Sequence, residues 1–360
     1  MDSIEYLLAL HSIDGLGPIR LKAVLHHFED PKFAWMAKSE ELLKIGIPKN
    51  TVLLLEETRK KLDPQKYREE IEKKGIKWIT IFDEEYPSLL SQIYDPPILL
   101  YYKGSLDCLK QKCIAVVGTR KMTGYGRMAC EKFVKNLVQF NLTIVSGLAK
   151  GIDTEAHKTA VLEDGQTVGV LGGGINEIYP PENRNLAQEI INGHGAIISE
   201  FPPSYPHLPG NFPARNRIIS GLSLATLVVE AASDSGSLIT ARFALEQGRD
   251  VFAIPGPITS SLSKGPIDLI KDGARAVFES GEILEEMGIF QPQANVAITV
   301  ENLSEDEKKV LKLLENENIH VDEIGRTLEF SSAKISSILL KMEIAGLVQN
   351  LGGGMYCRMV

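Results

Sequence analysis

The sequence predicts an α/β protein: an extended Rossmann-like, doubly wound sheet, flanked by a small all-α N-terminal domain and a C-terminal winged helix. Three observations carry this. From about residue 110 to 288, short apolar runs alternate with helical stretches. That alternation is the mark of right-handed βαβ units and a parallel sheet covered on both faces. Before that stretch the pattern is helical, with turns at Gly and Pro, and after it a short helical unit ends in a glycine-tipped hairpin.

Within residues 1–80, "HSIDGLGPIRLKAVLHHF" places Gly15, Gly17 and Pro18 at a tight turn, and Ile19 to Phe28 continue as an amphipathic helix. "LLKIGIPKNTVLLLEE" repeats the idea around Gly46 and Pro48. Two small helix–turn–helix units result, which serve either to offer backbone N–H groups to a phosphate or as packing and protein-contact modules. The core, 81–288, contains the strand runs "CIAVVG", "LTIVSG", "TVGVLGG", "AIISE", "ATLVVEA", "DVFAIPG" and "ARAVF". Helical patterns lie between them near 124–139, 153–162, 183–192, 213–220, 237–247 and 265–272. Nearly every run ends in Gly, Ser or Glu, and these carboxyl ends are where open α/β sheets bind ligands. Residues 289–302 show no periodicity and read as a linker. Residues 303–360 carry helical patterns at 304–315, 321–327 and 331–344, then the hairpin, which is a winged-helix plan.

Bulk properties bound the function. The 360 residues are 44% hydrophobic, mean hydropathy is −0.03, and no apolar run reaches the roughly 18 residues of a membrane span. The N-terminus has no basic n-region and does not read as a secretory signal. Cys108, Cys113, Cys130 and Cys357 form no C-x-x-C pair, so reduced thiols in a cytoplasm are the simple expectation. A net charge of −8 argues against a general nucleic-acid coat and confines any such site to a local basic patch.

The first core loop, "IAVVGTRKMTGYG", resembles a dinucleotide loop, but Arg120 stands where the second glycine must be. A dinucleotide also needs an acid after the second strand, and "IVSGLAKG" offers Ser146, Gly147 and Lys150, with no acid before Asp153. Gly118 ends the first strand and Thr123 caps the next helix. Both departures favour a polyanion over NAD, since an Arg in a backbone nest suits a phosphate diester. Ser146, His157 and Asp153 make a poor hydrolytic triad without a G-x-S-x-G elbow, and Glu155 with His157 make a poor metal pair. The glycines at 172–174 belong to no Walker motif. Glu230 therefore reads as a structural acceptor, while Asn183 and Arg184 open the next helix toward the same crevice. In "FPARNRIISG", Arg215 and Arg217 point to different sides, and Phe212 beside a cation is a minimal base-stacking platform. Ser235, Gly236 and Ser237 begin a further helix with free N–H groups.

Together, "VVGTR", "IVSGLAKGID", "GGGINEIYPPEN", "FPARNRIISGLS" and "SGSLITARFALEQGRDVFAIPG" resemble the DNA-processing protein A family (DprA, also called Smf), in order from about residue 85 to 280. The N-terminal helices, as a SAM- or helix-hairpin-helix-like domain, and the winged helix match its longer members. The resemblance implies a non-catalytic core that binds single-stranded DNA as a homodimer, protects incoming strands in natural transformation and loads the RecA recombinase, with no cofactor and no metal. By motif it implies DNA contacts at Arg120, Ser146, Gly147 and Phe212, with Asn216 and Arg217 shaping the pocket, and the reading of the loops adds Gly118, Lys150 and Arg184 to the expected DNA-binding residues. Pro181 and Pro209 stand where some members carry a basic residue.

The winged-helix region has seven Lys/Arg against nine Asp/Glu, and its presumed recognition helix offers only Lys334 and Lys341. A duplex-reading helix needs more positive charge, so protein contact or a lost DNA role is the favoured reading of this module. The rival to DNA binding is a nucleotide-processing enzyme that cleaves the base–ribose bond, for which Glu200 and Glu230 are the candidate carboxylates. A scaffold with purely structural loops is a third reading.

Overall fold

The computed structural model describes residues 3–289, 303–314, 318–344 and 347–358. From 290 onward the expected linker lies outside the described residues. The chain divides into two compact units, 1–289 and 290–360.

Six helices open the first unit: α1 (Ile4–His11), α2 (Pro18–Phe28), α3 (Pro31–Met36), α4 (Ser39–Lys44), α5 (Lys49–Lys61) and α6 (Pro64–Lys73). Proline at the first helical position starts α2, α3 and α6, where its missing N–H has no intrahelical partner to lose. Asp30 and Asp63 cap α3 and α6 by accepting from Lys32 and Gln65 N–H. Strands β1 (Lys77–Thr80) and β2 (Leu99–Gly104) follow, separated by α7 (Ser88–Ser91). β1 falls inside the stretch read from sequence as all helix. Its two buried residues, Ile79 and Thr80, are too few to show an alternation.

The remaining strands are β3 (Cys113–Val117), β4 (Thr143–Ser146), β5 (Thr167–Val170), β6 (Gly195–Ser199), β7 (Ala225–Val228), β8 (Asp250–Ala253) and β9 (Arg275–Ala276). Helices α8 (Gly124–Gln139), α9 (Ile152–Leu162), α10 (Arg184–Glu189), α11 (Asn211–Gly221), α12 (Ser237–Glu246), α13 (Lys264–Lys271) and α14 (Ser280–Glu286) connect and cover them. The strands agree with those expected from the apolar runs and α8 to α13 with the expected helical patterns, while α14 lies beyond them. The sheet has nine strands in the order β1-β2-β6-β5-β4-β3-β7-β8-β9. From β6 to β9 every pairing is parallel, while β2 runs antiparallel to both β6 and β1. The chain winds outward from β3 through β4, β5 and β6, then returns to β7 on the other side of β3. That reversal is the topological switch point, outside whose strand ends a crevice must open.

β3 is buried along its whole length, as a central strand covered on both faces must be. One face of the sheet carries Val117, Val145, Val168, Ile198 and Val228 with Ile218 and Ile219 of α11. The opposite face carries Ile114, Val116, Ile144 and Leu227 with Phe133, Leu137 and Ala156 of α8 and α9. The N-terminal helices join the first unit through a third cluster, in which Leu7, Leu10, Leu42 and Leu55 pack with Leu99, Tyr101, Leu171, Ile175 and Ile197. His11 of α1 and the buried Tyr101 hydroxyl of β2 meet at 3.3 Å.

The second unit holds α15 (Glu305–Leu313), β10 (Ile319–His320), α16 (Val321–Thr327), α17 (Ser332–Ile344), β11 (Val348–Gly352) and β12 (Met355–Arg358). Its three strands lie in the order β10-β12-β11, the small sheet of a winged helix. Val310, Leu311, Ile324, Ile335 and Leu339 form its separate core.

Candidate nucleic-acid interface

A crevice of about 820 Å³ opens at the switch point. Its walls come from the loop after β3 (Gly118 to Lys121), Tyr179, the start of α11 (Phe212, Asn216) and the segment from Ala232 to Ser237 that leads into α12. Arg120 is exposed, and its guanidinium carbon lies 5.7 Å from the centre of the Phe212 ring. Phe212 in turn sits 5.6 Å from the half-exposed ring of Tyr179, which stacks on His207 at 5.4 Å. A Cβ at Gly172 would come within 2.8 Å of the Phe212 ring, so one use of the glycine-rich third core loop, residues 171–183 between β5 and α10, is to seat this aromatic wall. Lys121, also exposed, adds a second cation that motif reading did not single out.

The floor beneath Arg120 is built from polar groups that satisfy one another. Arg215 is 4% exposed. It donates to the carbonyls of Gly147 and Val170, and its Nε donates to Asn216 Oδ1 at 3.0 Å. Burial lowers the Arg215 pKa to about 10; Asp153 counteracts this, and Arg120 adds to it. Asp153 accepts from the N–H groups of Gly147 at 3.2 Å and Ala149 at 3.4 Å. Burial raises its carboxyl pKa, with Arg215 pulling the other way.

This arrangement places the residues expected from sequence in different settings. Ser146 is fully buried and its hydroxyl donates to Val116 O at 2.7 Å, tying β4 to β3. Gly147 is likewise buried with both backbone groups engaged, and a Cβ there would meet the Arg215 guanidinium at 2.3 Å. Gly118 lines the crevice, but its lack of a side chain serves packing against Ile152, 2.6 Å from an added Cβ. Asn216 lines the crevice while donating to Gly236 O at 3.1 Å. Arg217 is turned away: it makes a two-pronged pair with Glu200 at 2.9 and 2.7 Å and a third bond to Asp95 at 2.8 Å. Burial alone would lower its pKa, but Glu200 and then Asp95 raise it. Lys150 is exposed and paired with Glu182. Asn183 is buried, donating to Leu148 O and Thr154 Oγ at 2.8 Å, and Arg184 lines a different pocket.

The helix starts are also less open than the sequence implies. Glu230, 2% exposed, accepts from Thr123 N–H at 3.0 Å and from the Thr123 hydroxyl at 2.6 Å, so the protein's own carboxylate occupies the start of α8. The structural reading of Glu230 is therefore the observed one. The segment leading into α12, with Ser235, Gly236 and Ser237, lines the open crevice. Asp234 lines it as well. His157 is packed, with Nδ1 2.7 Å from Thr167 Oγ. Among the described residues no group of three metal-ligating side chains occurs, and no helix is long and apolar enough to cross a membrane. All four cysteines are free thiols.

On α17, Lys334 pairs with Asp306 and Lys341 with Glu307, both at 2.7 Å. The acids of α15 thus answer both cations of the presumed recognition helix.

The fold and the crevice define a class: a Rossmann-type α/β protein whose switch-point site is cationic and aromatic, with no dinucleotide fingerprint, followed by a winged helix. Residues 77–288 match the family model described as DNA recombination-mediator protein A, beginning where β1 begins, and residues 297–354 match the DprA winged helix domain. The chain belongs to the DNA recombination-mediator protein A family. Protein Smf of Synechocystis is 35% identical over 98% of both chains. The crystal structure of DNA processing protein A from Streptococcus pneumoniae aligns with a TM-score of 0.69 at 40% identity, over 78% of this chain and 97% of that one. A DNA processing protein A from Helicobacter pylori, described for its unique single-stranded DNA binding mode, aligns with a TM-score of 0.53 at 28% identity, over 59% of this chain and 95% of that one.

Proposed function

We propose that this protein binds single-stranded DNA in the Arg120 crevice, without catalysing a reaction on it. The observation that carries the reading is the exposed Arg120 guanidinium lying over Phe212, with Tyr179 beyond it. A strand needs a cation for its phosphate and flat faces for its bases, and here both stand on one rigid edge. The Helicobacter pylori relative, described for its single-stranded DNA binding mode, supports the same ligand. The carboxylates an N-glycoside hydrolase would use are engaged, Glu200 by Arg217 and Glu230 by the start of α8. Membership of a recombination-mediator family extends the reading to protection of incoming strands and loading of RecA, by a homodimer formed through the Rossmann-like core.

Fluorescence anisotropy with oligo-dT and with duplex DNA over a salt series tests this. Wild-type protein should prefer the single strand. Arg120→Ala should weaken binding about tenfold or more and reduce the slope of log K against log salt by about 0.7, the value for one single-strand phosphate. RecA assembly on the same oligonucleotide should be accelerated by the wild type and not by this variant. Unchanged affinity in folded Arg120→Ala protein, or release of free base from nucleoside monophosphates, would overturn the reading.

A further inference from the structure

A second pocket, of about 510 Å³, lies on the far side of the third loop. Three cations from three elements line it: Lys74 just after α6, Lys103 on β2 and Arg184 at the start of α10. None of the three side chains has a hydrogen bond or ion pair among the described residues. The one carboxylate in the lining, Glu177, is exposed and pairs with none of them. Lys150, by contrast, has found Glu182, and Arg217 has found two acids. Half-burial, and after it the neighbouring Lys74 ammonium, hold Lys103 below the ordinary lysine range. On a chain of net charge −8, three cations gathered with no acid paired to them repel one another and gain nothing for the fold. An anion would relieve that repulsion.

The position of the pocket says which anion. The third loop separates it from the crevice, and consecutive residues of that loop line both: Glu177 and Ile178 face the pocket, and Tyr179 faces the crevice. A strand leaving Phe212 across the exposed Tyr179 ring therefore reaches Lys74, Lys103 and Arg184 next. We propose that these three residues form a second phosphate site, which takes the backbone of the same single strand after it crosses Tyr179. The proposal rests on the single-strand reading of the crevice. It places positive charge on the strand's path despite the prolines at 181 and 209.

The test is anisotropy with oligo-dT of increasing length over a salt series, comparing wild type, Lys74→Glu/Lys103→Glu, Lys103→Arg, Glu177→Gln and Arg120→Ala. Folding of each is checked by thermal melting. Oligonucleotides of about six nucleotides, enough to fill the crevice, should bind Lys74→Glu/Lys103→Glu as they bind wild type. Oligonucleotides of about 25 should bind it at least tenfold more weakly, with a salt slope lower by about 1.4, the value for two single-strand phosphates. Lys103→Arg should keep wild-type affinity, and Glu177→Gln should tighten only the long strands. If Arg120→Ala weakens every length while Lys74→Glu/Lys103→Glu weakens none, or weakens all lengths equally, the second site is wrong and the crevice reading stands. If the wild type binds no strand of any length, both fall.

Discussion

At the scale of single residues, neighbours separate what faces the crevice from what supports it. Arg120, Lys121, Phe212 and Tyr179 present side-chain surface to the crevice. Ser146 and Gly147, two residues in the motif from which phosphate contact is expected, are fully engaged beneath it. Two predictions follow from this division. Phe212→Ala should weaken oligo-dT by about 1–3 kcal/mol, the range for one stacked base, while leaving the affinity for an abasic strand unchanged. Ser146→Ala should lower the unfolding free energy by about 1 kcal/mol, from one lost hydrogen bond and one orphaned carbonyl, and leave strand affinity as it is. Urea melts and anisotropy on the same samples separate the two behaviours. A loss of affinity in Ser146→Ala without loss of stability would return Ser146 to the interface.

At the scale of elements, α11 shows how one helix start can serve both crevice and fold. Phe212 lies at its open end; Arg215, Asn216 and Arg217 follow, all buried. Arg217 anchors the helix to Glu200 after β6 and to Asp95 before β2, closing the antiparallel edge of the sheet onto the parallel core. Removing one partner leaves a buried charge unanswered, so Arg217→Ala should cost about 3–5 kcal/mol of stability. The folded fraction should bind oligo-dT with unchanged affinity, in contrast to Arg120→Ala. In the second unit, both lysines of α17 are held by acids of α15. Lys334→Gln/Lys341→Gln in the full chain should therefore leave duplex affinity unchanged, as measured by gel shift. A clear loss would make α17 a duplex reader.

At the scale of the molecule, pH reads out the shared core. His157 is completely buried and His11 partly so, and burial lowers their pKa values to about 3 and about 4. An unfolded histidine takes up its proton near pH 6.5, well before either folded one does. Each therefore contributes stability that is fully present above pH 6.5 and is lost as pH falls toward its folded value, at about 1.4 kcal/mol per pH unit. The Asp153 and Glu200 carboxyls, held up by burial, run the opposite way. The histidine part is best read as a difference: His11→Gln or His157→Gln should each flatten the fall in unfolding free energy between pH 7 and pH 5 by about 2 kcal/mol. A slope unchanged from wild type would mean that the ring is already accessible to water. His11 bridges α1 to Tyr101 of β2, so its slope also reports whether the N-terminal helices unfold together with the sheet.

Local pattern alone determined the parallel strands, their covering helices, the winged-helix plan and the place of Arg120 at a strand end. Apolar periodicity and glycine punctuation are properties of neighbouring residues, and they survive without knowledge of the fold. Strands β1 and β2 were not legible, because short edge strands take their identity from the partner they pair with rather than from alternation. The acids were not legible either. Asp153, Glu200 and Glu230 lie 62, 17 and 107 residues from Arg215, Arg217 and Thr123, and only the fold brings each acid to its cation or helix start. A motif shows that an arginine or a helix start is present. Tertiary structure decides whether the protein already answers that charge or leaves it open, as it does at Arg120 and around Lys74, Lys103 and Arg184.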